Sequence, residues 1–189
     1  MNVGSKLRIT LEGRIKLAIT STLVVYSIIV SIIKGNYVFI PMLLSFCGDV
    51  SLMKKRDCFY NKSANDFRTG VLFFMSAHIA YAYMMETDIR SKIIDIMIIS
   101  FVLLIFLKLL EVNKDILTVL LYSIVLTSSA INMYHFGMVT FFGGMLFVLS
   151  DALIGLFMIM KKDDYVSQFL IWVTYVPAQA IILTSFLLK

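Results

Sequence analysis

Long apolar runs of similar length alternate along the chain with short polar or charged breaks. The runs extend from about Ile15 to Ile33, Tyr37 to Met53, Phe67 to Met85, Ile93 to Leu110, Ile116 to Tyr134, Thr140 to Met160 and Val166 to Leu188. Lys34-Gly35-Asn36 reads as a tight turn, and Lys54 to Arg68, Glu86 to Lys92 and Lys161 to Asp164 supply further breaks. An α-helix rises about 1.5 Å per residue, so about 20 residues cross the ~30 Å hydrocarbon core of a bilayer. The pattern predicts an all-α polytopic membrane protein, a bundle of about seven transmembrane helices forming a single domain over residues 1–189. The second run is the shortest and contains Pro41 and Asp49. The fourth has charge only near its ends, at Asp95 and Lys108, from where long side chains reach the interface. No internal repeat, low-complexity tract or linker is visible.

Composition supports the membrane class. Of 189 residues, 60% are hydrophobic and 15% charged, and the mean hydropathy is +0.91. The net charge of +5 matters less than its placement. With a cytoplasmic N-terminus, Lys6, Arg8, Arg14, Lys16, Lys54, Lys55, Arg56, Lys62, Arg68, Lys108, Lys114, Lys161 and Lys162 fall inside, against Lys34, Arg90, Lys92 and Lys189 outside. That bias predicts a multi-pass cell-membrane protein with its N-terminus in the cytoplasm, its C-terminus outside and an odd number of spans. The first run follows a basic stretch and is of full spanning length, which reads as an uncleaved signal anchor. Cys47 and Cys58 show neither metal nor redox spacing. There is no GxSxG elbow, HExxH motif, glycine-rich phosphate loop, or basic patch interleaved with aromatics. Nucleotide and nucleic acid are therefore poor partners, whereas membrane lipid is an unavoidable one.

The polar residues inside the runs carry the candidate chemistry. Asp151 lies near the middle of Thr140–Met160, where a charge costs roughly 2.5–3.5 kcal/mol on insertion scales. Gly144, Asp151 and Gly155 share one helical stripe, and the glycines would let a helix or ligand approach the carboxylate. Measured from the inner ends of their runs, Asp49 lies ~6 Å deep, Asp151 and Tyr175 ~14 Å and His78 ~16 Å. Gly70, Phe74, His78 and Tyr81 form one stripe, and Gln168, Trp172, Tyr175 and Gln179 another. Depth and phase together predict a polar cavity in the cytoplasmic half that gathers Asp49, His78, Asp151 and Tyr175. Each residue also has a purely structural reading. Asp49 could sit among headgroups, Asp151 and His78 could bond across helices, and Tyr175 and Gln179 could be packing glue. Ser150 could bond back to its own helix, and His135 falls at the outer end of its run, in solvent. Asp49, Asp151 and His78 make an oxygen-rich set able in principle to hold a metal, but their spacing gives this no support, and no cofactor is called for.

Four segments carry a resemblance: SFCGDVSLM around Asp49, FRTGVLFFMSAHIAYAY around His78, FFGGMLFVLSDALIGL around Asp151 and TYVPAQAII around Tyr175 and Gln179. In order and approximate spacing, from about Leu43 to the C-terminus, they resemble the motif blocks of the YhhN family of integral membrane lysoplasmalogenases. The resemblance implies hydrolysis of the vinyl ether bond of a lysophospholipid substrate, lysoplasmalogen, to a fatty aldehyde and a glycerophospho-ethanolamine or -choline. It departs at the N-terminus. Family members usually have one more helix followed by Lys-Pro, where this sequence has Arg14-Ile15-Lys16-Leu17.

A vinyl ether resists bases and nucleophiles but is cleaved once its β-carbon is protonated, which gives an oxocarbenium ion that water captures. The site must hold one protonated carboxyl and one negative charge beside the cation, the division of labour used by glycosidases. Asp151, the deeper by this estimate, is the better candidate acid, and Asp49 the better candidate carboxylate, although the roles are interchangeable at this level. His78 is a candidate third catalytic group, holding a shared proton or positioning water. Tyr81, Ser150, Tyr175 and Gln179 are candidate substrate-binding residues. A small-molecule or proton-coupled transport component is the alternative; it predicts broken helices or inverted repeats, and only Pro41 and Pro177 interrupt the runs. A structural or assembly subunit leaves the buried aspartates unexplained. The orientation is testable directly: a reporter fused after Lys189 should read as extracytoplasmic, and a cytoplasmic reading overturns the span count or the orientation.

Overall fold

The computed structural model describes residues 11–53, 64–85, 114–160 and 165–189. Among the described residues there are six helices and no strand: α1 Leu11–Lys34, α2 Phe39–Met53, α3 Ala64–Met84, α4 Lys114–Phe136, α5 Met138–Ile159 and α6 Tyr165–Leu188. Their limits lie within a few residues of the apolar runs. The predicted fourth span, Ile93–Leu110, lies outside the described residues, as does Cys58. Among the described residues, three helices are long and apolar enough to cross a membrane, Ile15–Lys34, Met138–Phe157 and Val166–Leu188, with Phe39–Leu52 a shorter apolar helix.

Neighbours in sequence pack against one another, α1 on α2, α2 on α3, α3 on α4, α4 on α5 and α5 on α6, and α6 returns to α1. The helices thus close a ring. The closing seam is fastened by Tyr26 Oη against Thr184 Oγ1 at 3.3 Å and by Lys16 Nζ, which donates to Gln168 Oε1 at 2.8 Å. The turn between α1 and α2 is built by its sequence. Gly35 adopts φ +63°, open to glycine without a Cβ penalty. Asn36 N then donates back to Ser31 O at 3.1 Å, closing the end of α1 in the manner of a Schellman motif. Ser31 Oγ accepts from Phe39 N at 3.1 Å, satisfying a donor at the start of α2.

The distribution of polarity is that of a bundle immersed in lipid. Ile28, Ile29, Ile32, Phe142, Leu149, Phe169 and Val173 point outward, whereas Thr20, Ser27, Ser45, His78, Ser129 and Gln179 are buried. Against lipid an apolar exterior costs nothing, and interior polar groups can join helices. Small residues let the backbones approach. A Cβ on Gly144 would stand 2.6 Å from Met133 Sδ, and one on Gly48 2.8 Å from the Phe74 ring.

Side-chain contacts show the directions in which α3 and α4 run. Phe67, early in α3, lines the cavity that Asp151 also lines, and Tyr81, late in α3, stacks on Phe186 with ring centroids 6.4 Å apart. Tyr122, in the first half of α4, bonds Asp151, and Phe136, at its end, packs on Phe186 at 4.8 Å. Consecutive helices α3 and α4 therefore run in the same direction. Met85 and Lys114 lie at opposite ends of the bundle.

Candidate functional site

Two carboxyls from helices that are not neighbours in the ring meet at one cavity. It measures about 110 Å³ and opens at the end where α1, α3 and α6 begin and α2 and α5 finish; Asp49, Ser150, Asp151, Tyr175, Lys16 and Trp172 are among its lining residues. Asp49 comes from the last turn and a half of α2 and is 8% exposed. Asp151 comes from the middle of α5 and is half-buried. Between them stand the flanking helices, each contributing a phenol. Tyr175 of α6 donates to Asp49 Oδ2 at 2.9 Å, and Tyr122 of α4 donates to Asp151 Oδ2. Each carboxyl thus has one oxygen held by a tyrosine. Hydrogen bonds to a carboxylate are stronger than those between neutral groups, and inside an apolar bundle they decide whether the group is tolerated at all.

The floor of the cavity is aromatic. Phe74 lines it, and Phe74, Phe147 and Tyr175 meet edge to face, with centroids 6.2, 6.2 and 5.3 Å apart. Such edge-to-face contacts fix ring orientation, which here fixes the direction of the Tyr175 hydroxyl.

The predicted constellation is brought together in part. Asp49, Asp151, Tyr175 and Ser150 line the cavity; His78, Tyr81 and Gln179 do not. They form a buried polar layer beyond the aromatic floor. His78 Nδ1 lies 3.4 Å from Ser129 Oγ, and its ring meets Phe147 edge-on at 4.5 Å and lies 6.2 Å from that of Tyr122. Tyr81 Oη donates to Gln179 Oε1 at 3.1 Å. His78 lies about one turn along α3 beyond Phe74, and Phe147 stands between it and the cavity. His78 and the two aspartates consequently do not face one another as a ligand set, and among the described residues no group of three or more His, Cys, Asp or Glu is placed to hold a metal. Ser150 does not bond back to its own helix: its hydroxyl donates across to Ile171 O on α6 at 3.3 Å. Asp49 is the more enclosed of the two carboxyls and Asp151 the more open. The Gly144 side of the Asp151 stripe is filled by Met133, whereas a Cβ on Gly155 would meet nothing within 4 Å.

Four residues escaped the sequence reading of the site. Tyr122 lay in a run without a charge to draw attention to it, although its heptad spacing to Ser129 placed both on one face. Gln168 and Trp172 lie on the Tyr175 stripe but are not among the candidate site residues. Lys16 counted only as a topological charge. In the folded chain its ammonium stands 4.9 Å from the Trp172 ring centroid and bonds Gln168, at the rim of the cavity.

A profile of the YhhN family matches residues 14–186. No curated protein and no solved structure matches the chain.

The tyrosine–aspartate pairing has a measurable consequence. Tyr175→Phe leaves Asp49 without its donor and should destabilise the protein by about 1–3 kcal/mol. Tyr37→Phe, at a residue 68% exposed, should change little. Denaturant unfolding in detergent compares the two, and equal midpoints would mean that the Tyr175–Asp49 bond contributes nothing.

Proposed function

The chain belongs to the YhhN family, and we propose that it is a membrane hydrolase that cleaves the vinyl ether bond of lysoplasmalogen, releasing a fatty aldehyde and a glycerophospho-alcohol. The observation that carries this reading is the placement of Asp49 and Asp151 on one small cavity, each with one oxygen engaged by a phenol. The positive-inside bias puts the open end of the cavity at the cytoplasmic face, where Lys54, Lys55, Arg56, Lys114, Lys161 and Lys162 follow or precede the helices concerned.

The reaction needs a proton delivered to carbon and a negative charge that waits for the cation. A charge is least costly where water reaches it, so the carboxylate is assigned to the half-buried Asp151 and the proton to the enclosed Asp49, reversing the assignment made from depth in the sequence. With Oδ2 of Asp49 bonded to Tyr175, Oδ1 carries the proton. The Asp49 O–H bond breaks as a C–H bond forms at the β-carbon of the vinyl ether, and the electron pair of the double bond is used in that new bond. The positive charge is then shared by the α-carbon and the ether oxygen, beside the Asp151 carboxylate, which Tyr122 orients. Water adds to the α-carbon and gives a proton to the Asp49 carboxylate. Asp49 returns that proton to the ether oxygen of the hemiacetal, the bond between the α-carbon and that oxygen breaks, and Asp49 takes the hydroxyl proton of the hemiacetal as the aldehyde forms. The balance is one water consumed and no net change in either aspartate. His78, packed against Tyr122 and Phe147, acts as a positioning residue for the phenol on Asp151. Such preorganised donors lower the barrier because they need no reorientation as charge develops.

Aldehyde release from lysoplasmalogen by purified protein, with an alkyl-ether lysolipid as the uncleaved control, tests the activity. Asp49→Asn and Asp151→Asn keep shape and hydrogen bonding but can neither deliver a proton nor hold a charge. Each should lower kcat by about 10²–10⁴-fold, equivalent to about 2.7–5.4 kcal/mol of barrier, with folding intact. Turnover by the wild type should fall as pH rises through the titration of the acid. Near-normal turnover in either variant removes that residue from the mechanism; in both, it returns the lead to a transport role.

A further inference from the structure

Resting on the two-acid reading of this cavity, we propose that the described helices are two copies of one three-helix unit, related by a pseudo-two-fold axis through the cavity. Phe74 and Thr20 are then the positions at which the repeat withholds a second phenol from Asp151 and Asp49, which leaves one oxygen of each carboxyl free for the substrate. The units are α1 to α3 and α4 to α6. Gly35 and Gly137, at the turns before α2 and α5, Phe39 and Phe141, and Asp49 and Asp151 are separated by the same interval in the chain. Burial repeats with it. From Val38 to Phe46 the buried, half-buried and exposed positions follow in the same order as from Thr140 to Val148, and from Leu72 to His78 in the same order as from Val173 to Gln179. Thr20, Leu23 and Ser27 are buried on α1 as Tyr122, Val125 and Ser129 are on α4. Most equivalent positions hold different apolar side chains, so the repeat shows in burial and not in residue identity.

The packing obeys the same operation. In the ring of described helices α1 stands opposite α4, α2 opposite α5 and α3 opposite α6, and the contact of α3 with α4 is matched by that of α6 with α1. Because α3 and α4 run in the same direction, so do the members of each pair, and the axis lies along the bundle, as in other membrane proteins built from parallel repeats. Close helix crossings recur at equivalent residues. A Cβ on Gly70 would lie 3.4 Å from Gly48 O between α2 and α3, and Ser150 donates to Ile171 O at 3.3 Å between α5 and α6. Equivalent residues of both units line the cavity, Asp49 with Asp151, Leu52 with Ile154 and Phe74 with Tyr175, so the axis passes through it. The operation gives each carboxyl two donor positions. One is on the preceding helix of its own unit, Tyr122 for Asp151 and Thr20 for Asp49. The other is on the third helix of the opposite unit, Tyr175 for Asp49 and Phe74 for Asp151. Each acid has one of its two positions filled by a phenol. Phe74 has no hydroxyl, and Thr20 Oγ1 donates within its own helix, to Lys16 O at 3.1 Å. The oxygen left over is the one the reaction uses, Oδ1 of Asp49 for the proton and the second oxygen of Asp151 for the cation.

The test moves single phenol oxygens in the full-length protein and reads aldehyde release from lysoplasmalogen together with thermal unfolding in detergent. Tyr122→Phe should lower both kcat and the unfolding midpoint. Adding Phe74→Tyr, one oxygen on a ring already in the cavity, should recover most of both. The same Phe74→Tyr should recover neither in Tyr175→Phe, although the rings of Phe74 and Tyr175 are neighbours with centroids 6.2 Å apart, because the axis directs the new hydroxyl to Asp151. In the wild type Phe74→Tyr should hold or raise the midpoint and lower kcat about tenfold or more, as the second oxygen of Asp151 becomes engaged. A ring with a packing role alone would not separate stability from turnover in this way. Thr20→Tyr should give the mirror pattern, recovering Tyr175→Phe and not Tyr122→Phe; if its added bulk makes it unfold early, the Phe74→Tyr results decide. Recovery of Tyr175→Phe by Phe74→Tyr, recovery of neither background, or an unchanged kcat for Phe74→Tyr in the wild type overturns the proposal. If the wild type cleaves no vinyl ether, the hydrolase reading fails, and the pseudo-two-fold donor positions stand or fall on the crossed pattern in the unfolding midpoints alone.

Discussion

Two carboxyls inside an apolar bundle are the constraint around which this structure is arranged. Each must be given a donor or lose its charge, because lipid and hydrocarbon side chains offer none. The answer is a pair of phenols, Tyr175 for Asp49 and Tyr122 for Asp151, supplied by helices that flank the cavity rather than by the helices that carry the acids. A tyrosine can do this because it brings a large apolar body that packs with Phe74 and Phe147 and a single polar tip that leaves the body at a fixed angle. Two hydrogen bonds tie four helices in two pairs, α6 to α2 and α4 to α5. The ring has to close, α6 on α1, for Tyr175 to reach Asp49 and for Gln168 to reach Lys16.

Much of this was legible in the sequence. Six of the seven apolar runs match the described helices to within a few residues, because a run bounded by charges can satisfy its backbone in lipid only by becoming a helix. Asp49, Asp151 and Tyr175 could be assigned to the same half of the bundle because depth in a span is counted residue by residue. What the sequence could not give was the partner across the gap. Tyr122 sits among leucines and serines with nothing local to distinguish it from packing, and only tertiary contact turns it toward Asp151. His78 shows the converse. It shares a stripe with Phe74, which lines the cavity, yet about one turn farther along α3 it lies behind Phe147. Ser150 bonded α6 rather than its own helix for a similar reason: Ile171 O was near enough, a fact about helix approach and not about α5.

The buried layer beyond the cavity contributes in a different way. His78 Nε2, Gln179 Nε2 and Ser45 Oγ have no hydrogen-bond partner among the described residues, while Tyr81 and Ser129 approach the other polar atoms of Gln179 and His78. Polar atoms in such a setting hold rings and carboxamides to one orientation, and through Tyr122 and Phe147 that order reaches the two acids.

The central claim is that protein-bound acid, not solvent, protonates the carbon of a vinyl ether, and the product records which one did. Lysoplasmalogen hydrolysed by the purified protein in D₂O should yield aldehyde with one deuterium on the carbon next to the carbonyl, in a single configuration, because an aspartate fixed on one side of the substrate can deliver it to only one face. Aldehyde with deuterium equally in both configurations, or no aldehyde at all, would contradict the account.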